Sequence, residues 1–424
     1  LAAEAGGSFD LCIASPGISQ FSAFYEAAAA VSAEVISEVE FAWRESAADS
    51  RWVAVTGTNG KTTACALAAH VLAGAGLAAA AVGNIGDPCI EAVAAGRTDV
   101  YVAEVSSYQL ASTARFAPNV AVLLNITPDH LHWHRSFEAY RDAKLKLLAN
   151  LPGVPGAVAV LDATNDVVRA EVRRLRALDA GERGFSYVPL GTAAGLTGDM
   201  RAACGSDNAA FLDADGTLRV ALNGAEHAAA RVEELQIKGE HNASNALAVA
   251  AAALALGVHE SDVAEGLRTF APLEHRIEPC GSVAGVRCYN DSKATNVDAT
   301  LKALAAFPET RPVVLLGGDD KGTDLAPLVE AAHAHAGAVV CFGDAGERFA
   351  AAFEAADAQA PAGFAAARAA HLADAFDAAL ALASAGDVVL LSPACASFDE
   401  FGSFEERGAA FKTLVADAAS ALGA

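Results

Sequence analysis

The sequence is short of everything that marks a secreted, membrane-embedded or nucleic-acid-binding chain. Its eight cysteines (12, 65, 89, 204, 280, 288, 341, 395) are scattered, with no C-x-x-C and no dense framework. That excludes a disulfide scaffold and fits reduced thiols packed as small hydrophobes. The longest apolar run, from Ala246 to Val258, falls short of the ~20 residues a spanning helix needs, and no basic region followed by an apolar one opens the chain. Positive charge is scarce: 29 Lys+Arg stand against 52 Asp+Glu, a net charge of −23. Nucleic acids and anionic membranes both demand clustered cations, so neither is an expected partner. Any anionic ligand must be held by local donors. The expectation is a soluble, cytoplasmic protein with no membrane insertion. Methionine is nearly absent too. The sole one is Met200, so Leu1 is not a translation start, and "LAAEAGGSFDLCIASPGIS" enters mid-pattern; a segment upstream is expected to be missing.

What is present reads as α/β. Apolar runs of strand length alternate with Ala-rich helical stretches, the pattern of repeated β-α units and parallel sheets. Strands are expected at Leu11 to Ala14, Trp52 to Val55, Val100 to Val105, Val120 to Asn125, Ala157 to Leu161, Val313 to Leu316, Ala338 to Phe342 and Val388 to Leu391. Asp215-Gly216 between two short apolar segments predicts a hairpin. No internal repeat is visible. A chain of 424 residues can bury several cores. The polar "FAWRESAADSRW" and the Pro/Gly-bearing "FAPLEHRIEPCGSVAG" set boundaries near 46 and 272, giving units 1–46, 47–272 and 273–424.

The stretch "RWVAVTGTNGKTTACALAAHVL" carries the most specific signal. An apolar strand breaks into a turn containing Gly57, Thr58, Asn59 and Gly60, and a helix pattern begins at Lys61. In such a loop backbone N–H groups and the helix N-terminus face an anion, the lysine adds a point charge, and the Thr62 or Thr63 hydroxyl reaches a nucleotide's magnesium. The strict G-x-x-x-x-G-K-[ST] pattern asks for a glycine where Val55 stands. A merely connecting turn would have no use for Lys-Thr directly after glycine.

Further polar signals follow strands, where ligands of open α/β sheets gather. Glu104 stands at a strand end beside Ser106 and Ser107, costly there unless paired or bound to a cation. Asp129 and His130 end another strand, and Asn84 lies between glycines. Oxygen ligands beside one histidine suit magnesium. The spacing of His130, His132 and His134 does not make a zinc site, and the last two read as a polar loop face. In "YRDAKLKLLAN" the residues alone put Lys144 on the surface of a helix. Asn242 and Asn245 precede an Ala/Leu helix and either cap it or meet a base or ribose. His275 and Arg276 sit at the second boundary. Three C-terminal runs, "NDSKATNVDAT", "LLGGDDKGTDL" and "LLSPACASFDEFGSFEERG", each follow an apolar strand.

Nine motifs, "GTNGKTT", "EVSSYQL", "NITPDHL", "YRDAKLK", "HNASNALA", "EHRIE", "NDSKATN", "GGDDKG" and "SPACASFDEFGSFEERG", occur in one order between residues 11 and 408. Together they make the chain resemble the Mur ligases, ATP-dependent amide-forming enzymes of the cell-wall peptide stem. The last three look like the branch that adds D-glutamate to UDP-N-acetylmuramoyl-L-alanine. The resemblance implies three domains: a truncated Rossmann-like N-terminal one, a central P-loop ATPase-type one and a Rossmann-like C-terminal one. It also implies phosphorylation of a substrate carboxylate by ATP, with attack by the D-glutamate amine.

Carried over position by position, Lys61 holds the β- and γ-phosphates, Thr62 and Glu104 one magnesium, and His130 a second. Lys144 becomes a carbamylated lysine of the metal site, which replaces the surface reading. Asn84 and Ser106 match contacts to the UDP substrate, of whose site in the partial domain 1–46 only Ser15, Pro16 and Gly17 remain. Asn242, Asn245 and Arg276 match nucleotide contacts; Asp291 and Lys293 meet ATP or the reacting centre; and Thr295, Lys321, Ser397 and Phe404 form the D-glutamate site. The enzyme is expected to act as a monomer. A folylpolyglutamate synthetase-like ligase leaves "SPACASFDEFGSFEERG" unexplained. A nucleotide-binding module that makes no amide has no need of Glu104, His130 and Lys144 together.

Overall fold

The computed structural model describes residues 7–197, 206–320, 322–356, 358 and 360–422. The strands are β1 (Cys12–Ala14), β2 (Val35–Ser37), β3 (Arg51–Thr56), β4 (Ala79–Gly83), β5 (Val100–Glu104), β6 (Val120–Leu123), β7 (Val158–Asp162), β8 (Ser186–Leu190), β9 (Ala209–Leu212), β10 (Thr217–Leu222), β11 (Ala225–Arg231), β12 (Glu278–Val283), β13 (Val286–Asn290), β14 (Val313–Gly317), β15 (Ala338–Phe342), β16 (Ala365–Arg368) and β17 (Val388–Leu391). The chain divides into two compact units. One holds residues 1–236 and 241–270, the other 237–240 and 271–424.

In the first unit nine strands form one sheet in the order β11-β10-β9-β8-β7-β6-β3-β5-β4, and β1 pairs parallel with β2 in a small separate sheet. From β4 to β9 every pairing is parallel. Strands such as "VYVAE" and "VAVL" are buried throughout, as parallel strands covered on both faces must be. Trp52 stacks on Tyr101 with centroids 4.7 Å apart and meets Phe116 edge-on. That places a large aromatic contribution, worth about 2–3 kcal/mol per fully buried ring, at the centre of the core. The expected hairpin is present, β9 and β10 pairing antiparallel around Gly216. A second turn at Asn223-Gly224, both with positive φ, returns the chain as β11. Asn-Gly is the pair that such a two-residue turn favours.

The second unit is a six-stranded sheet in the order β12-β13-β17-β14-β15-β16, parallel except for the β12–β13 edge pair. Alternation along its strands divides two cores. Val314, Leu316, Val339 and Cys341 face one cluster, while Val313, Leu315, Val340 and Phe342 face the other.

Both sheets bring loops together by register. Val55 pairs with Glu104 and Thr56 with Leu123, so the segments after β3, β5 and β6 leave one sheet edge side by side. Asn290 and Leu315 both pair with Leu391, which does the same for the segments after β13, β17 and β14. Among the described residues no helix is long and apolar enough to cross a membrane.

Candidate active site

The loop from Gly57 to Gly60 joins β3 to a helix over Lys61–Gly74, with Gly60 as N-cap at φ 87°. Glycine is required at position 60 and closely fitted at position 57. A Cβ on Gly57 would come within 3.1 Å of Leu124 Cβ, and one on Gly60 within 2.8 Å of the Asn245 side-chain oxygen, at a φ that side chains avoid. The loop is pinned from β6. Thr58 N–H donates to Asn125 O at 2.8 Å and Asn59 N–H to Asn125 Oδ1 at 2.9 Å. The Thr58 hydroxyl lies 2.8 Å from the Tyr140 hydroxyl. Lys61 Nζ donates to Gly57 O and Thr58 O at 3.0 and 2.9 Å. Thr62 is half-buried in the first helical turn and Thr63 is buried. Val55, where the strict pattern wants glycine, is a buried strand residue.

Glu104 closes β5 and is 2 % exposed. Asn84 Nδ2 donates to its Oε1 at 2.8 Å, while its buried Oε2 has no hydrogen-bond partner. A buried carboxylate oxygen without a donor costs about 1–3 kcal/mol or more, and it is the kind of atom a hard cation takes. Ser106 caps the helix Ser107–Ala111 in a reciprocal capping box with Gln109, so its hydroxyl already has a structural use.

Lys144 is buried, not on a helix surface as its stretch alone suggests. The helix Phe137–Leu145 turns it inward, where Nζ donates to Gly57 O at 2.7 Å and sits 4.9 Å from the Tyr140 ring centre. Burial, then the nearby Lys61 charge, push its ammonium well below the ordinary lysine range, although Asp129 and Glu104 pull the other way. His130, with φ 53°, precedes the short helix Leu131–His134. Its Nδ1 lies 2.8 Å from the Tyr108 hydroxyl.

One sequence-based expectation fails nearby, and one of two open alternatives closes. His134 is not on a polar loop face but fully buried. Its Nε2 is 2.9 Å from Ser107 Oγ, and burial, followed by repulsion from His130, lowers its pKa to about 4. His132 is exposed. Asn242 and Asn245 do not cap their helix, because Glu240–Ala255 begins before them. Both are buried within its first turns, Asn245 Nδ2 donating to Asn242 Oδ1 at 3.2 Å, with Asn245 against Gly60. Ser244 Oγ donates to Asp162 at the end of β7, which fixes that helix against the sheet.

Ser15, Pro16 and Gly17 form an exposed turn after β1.

In the second unit Asp291 follows β13 and is buried. Ser392 Oγ donates to Oδ2 at 2.8 Å and Ile277 N–H to Oδ1 at 3.2 Å. Burial raises the carboxyl to about 7 against the pull of these donors and of Arg276 and Arg407. Lys293 Nζ stands 3.7 Å over the Phe404 ring. Thr295 is half-buried next along the same loop, its N–H donating to Lys293 O. Ser397 is buried after β17. Lys321 lies outside the described residues. The loops that carry Asp291, Lys293 and Ser397 are joined by a residue that sequence reasoning passed over. Arg407, 1 % exposed, donates to Ser292 Oγ, Ser292 O, Cys395 O and Ala396 O at 2.8–3.1 Å. Its motif was visible, but nothing in "FEERG" says that this arginine faces inward. Tyr140 and Tyr108 were passed over too, since aromatic residues in such runs usually serve a core.

The site can therefore cradle a polyphosphate. The unpartnered Glu104 Oε2 is the kind of buried oxygen that suits a magnesium ion, and the Thr62 hydroxyl in the first turn of the helix is a second candidate oxygen. Among the described residues no three His, Cys, Asp or Glu side chains cluster to hold a metal by themselves.

A family model of the Mur ligase middle domain matches residues 55–253, and one of the Mur ligase glutamate ligase domain matches residues 275–395. The UDP-N-acetylmuramoylalanine--D-glutamate ligase of Alkaliphilus metalliredigens is 38% identical over 411 residues, 96% of this chain and 84% of its own length. That of Pelotomaculum thermopropionicum is 39% identical over 419 residues, with the same coverage. Among solved structures, the UDP-N-acetylmuramoylalanyl-D-glutamyl-2,6-diaminopimelate--D-alanyl-D-alanyl ligase of Acinetobacter baumannii superposes with a TM-score of 0.61 at 18% identity, over 90% of this chain and 78% of that one. A Mycobacterium tuberculosis folylpolyglutamate synthase complexed with ADP gives 0.61 at 17% identity, over 89% and 93%. At these identities the structures speak for the fold. The two family models and the relatives carry the assignment: this chain belongs to the Mur ligase family.

Proposed function

We propose that the chain joins D-glutamate to UDP-N-acetylmuramoyl-L-alanine at the expense of ATP, in the cytoplasm, as a monomer and as a step of peptidoglycan precursor synthesis. The observation that carries this reading is the resemblance to D-glutamate ligases along nearly the whole chain, joined to a phosphate loop beside the unpartnered Glu104 Oε2. The substrate carboxylate takes the γ-phosphoryl group from ATP, forming a C–O–P bond as ADP leaves. The D-glutamate amine then attacks the acyl carbon, and the tetrahedral adduct expels phosphate and loses a proton to give the amide. A carboxylate is a poor electrophile, so the phosphate is there as a leaving group, and positioning and cations carry most of its transfer.

In this reading Lys61 holds the β- and γ-phosphates over the backbone of Gly57 to Thr63. Thr62 and Glu104 would hold one magnesium ion and His130 a second. Bound magnesium neutralises charge on the phosphates. Lys144 is read as carbamylated: its depressed basicity favours the free amine, which adds CO2 through nitrogen with loss of a proton. The product is an anionic oxygen group suited to the metal site, whereas an ammonium would repel the ions. Asn84 and Ser106 are assigned to the UDP substrate, together with Ser15, Pro16 and Gly17. Asn242, Asn245, Arg276 and Asp291 go to the nucleotide, Lys293 to the reacting centre, and Thr295, Lys321, Ser397 and Phe404 to D-glutamate. A division at 46 and 272 into substrate, ATP and amino-acid domains completes the reading.

Phosphate release with ATP, magnesium and UDP-N-acetylmuramoyl-L-alanine tests it. Release is expected with D-glutamate and not with L-glutamate or without amino acid. Release with L-glutamate and a folate, or ATP binding with no turnover in any combination, would overturn the assignment.

A further inference from the structure

Just before β12 the second unit makes a turn that its residues do not favour. His275 and Ile277, on either side of Arg276, have positive φ of 62° and 46°, a region that a β-branched side chain avoids most of all. The turn is held from its surroundings instead. His275 N–H donates to Glu278 Oε2 at 2.9 Å, Ile277 N–H to Asp291 Oδ1 at 3.2 Å, and His275 O accepts from Lys293 N–H at 3.1 Å. Glu278 is itself fixed. It stands opposite Asn290 in the β12–β13 register, takes Asn290 Nδ2 on the same oxygen at 3.1 Å, and takes Lys412 Nζ on the other at 2.9 Å. The His275 ring is buried against Gly408, where a Cβ would not fit.

Strain that the surroundings over-determine persists where one group must be presented in one place. The residue between the two strained positions is Arg276, half-buried. We propose that Glu278 is a positioning residue that presets this turn, and with it the stem of Arg276, for the phosphates of a nucleotide before the nucleotide arrives. This rests on the reading of Arg276 as a nucleotide contact. A guanidinium meets phosphate oxygens through a rigid fork of donors, so the contact depends on where its backbone stands. The carboxylate on the neighbouring His275 N–H sets that place. A turn already ordered spares the binding step the cost of ordering it.

The test is Glu278→Met in the full chain, which keeps the length of the side chain and removes both acceptor oxygens. Calorimetry gives the Kd of a non-hydrolysable ATP analogue with magnesium, in a cycle with Arg276→Ala. Either change alone should weaken binding by about 10-fold. Adding Glu278→Met to Arg276→Ala should cost no more than about 2-fold further, because the first acts through the second. A residue that merely stabilised the fold would show no such coupling. Glu278→Gln keeps one acceptor and should recover most of the affinity. Additive losses, or no loss from Glu278→Met, overturn the role of Glu278 and leave that of Arg276 standing. If Arg276→Ala binds as tightly as the unaltered protein, both fall. Should the Glu278 variants not fold, amide exchange in the unaltered protein decides: the His275 and Ile277 N–H groups should be protected before nucleotide is added, and protection that arises only with nucleotide overturns the inference.

Discussion

Glu104 in the first unit and Arg407 in the second are equally sealed from solvent, 2 % and 1 % exposed, and are treated in opposite ways by their surroundings. Arg407 spends its guanidinium on three backbone carbonyls and one hydroxyl. Burial lowers its pKa to about 10, yet each of its polar groups has a protein partner. Glu104 has one donor, Asn84, and keeps an oxygen with none. A buried charge that is fully satisfied organises loops, and one left short calls for a partner such as a water or an ion. The same contrast separates Asp291, bound by Ser392 and a backbone N–H, from Lys144, whose hydrogen bonds run to Gly57 O and Thr56 Oγ1 rather than to a carboxylate.

The widest gap should open with Glu104→Gln. The Asn84 hydrogen bond can persist while the unpartnered anion is removed, so the denaturation midpoint should hold or rise. Turnover with saturating ATP should fall about 100-fold or more, which is about 3 kcal/mol of transition-state stabilisation. A variant that is both less stable and nearly as active would make Glu104 an ordinary structural acid.

Arg407→Met reverses the pattern. Volume is roughly kept, but four acceptors lose their donor, so urea unfolding of the second unit should lose about 3 kcal/mol. Ser292→Ala, which removes the Nε partner and the hydroxyl's own hydrogen bond to Phe404 O, should lose about 1–2 kcal/mol. A loss for Arg407→Met no larger than that for Ser292→Ala would show that the guanidinium does not tie the loops together.

Asp291 sharpens the comparison through pH. Its carboxyl is raised from 3.8 to about 7 in the native protein, so between those values the native state binds more protons than the unfolded one. Stability therefore falls as pH rises through that window and levels off above about 7. From roughly pH 5.5 to 7 this amounts to on the order of 2 kcal/mol. Asp291→Asn should remove that slope from unfolding curves measured at each pH. An unchanged slope would assign the pH dependence to other groups.

The sequence makes the satisfied and the unsatisfied groups unequally legible. β15 and β17 coincide with their expected spans, and β3, β5 and β6 differ by one or two residues, because fully buried parallel strands read as unbroken apolar runs. Strands made of alanine escape: "AAAVG" and "AAAR" have the composition of the helices around them, and only sheet pairing declares them. Asn223-Gly224 was a readable turn whose partner strand was too polar to be seen. At the site, Lys61 and Glu104 are legible because glycines before a lysine, or an acid at a strand end, are anomalies in themselves. Lys144, His134 and Arg407 are not, since helical periodicity in short, mixed segments does not say which face turns inward.

The smallest effect falls on Ser106, where a structural role and a substrate contact compete for one hydroxyl. Its Oγ accepts from Gln109 N–H at 3.2 Å, and Gln109 Oε1 accepts from the Ser106 backbone N–H at 2.9 Å. Ser106→Ala should then cost about 1 kcal/mol of stability, the usual worth of such a cap, and leave the KM for UDP-N-acetylmuramoyl-L-alanine within about 2-fold. Ser106→Asp keeps a capping acceptor and should recover most of the stability. If instead KM rises 10-fold in Ser106→Ala while stability is unchanged, the hydroxyl serves the substrate and the capping box is incidental. A substrate contact would also place Ser106 with Glu104, among groups the protein leaves for its ligand.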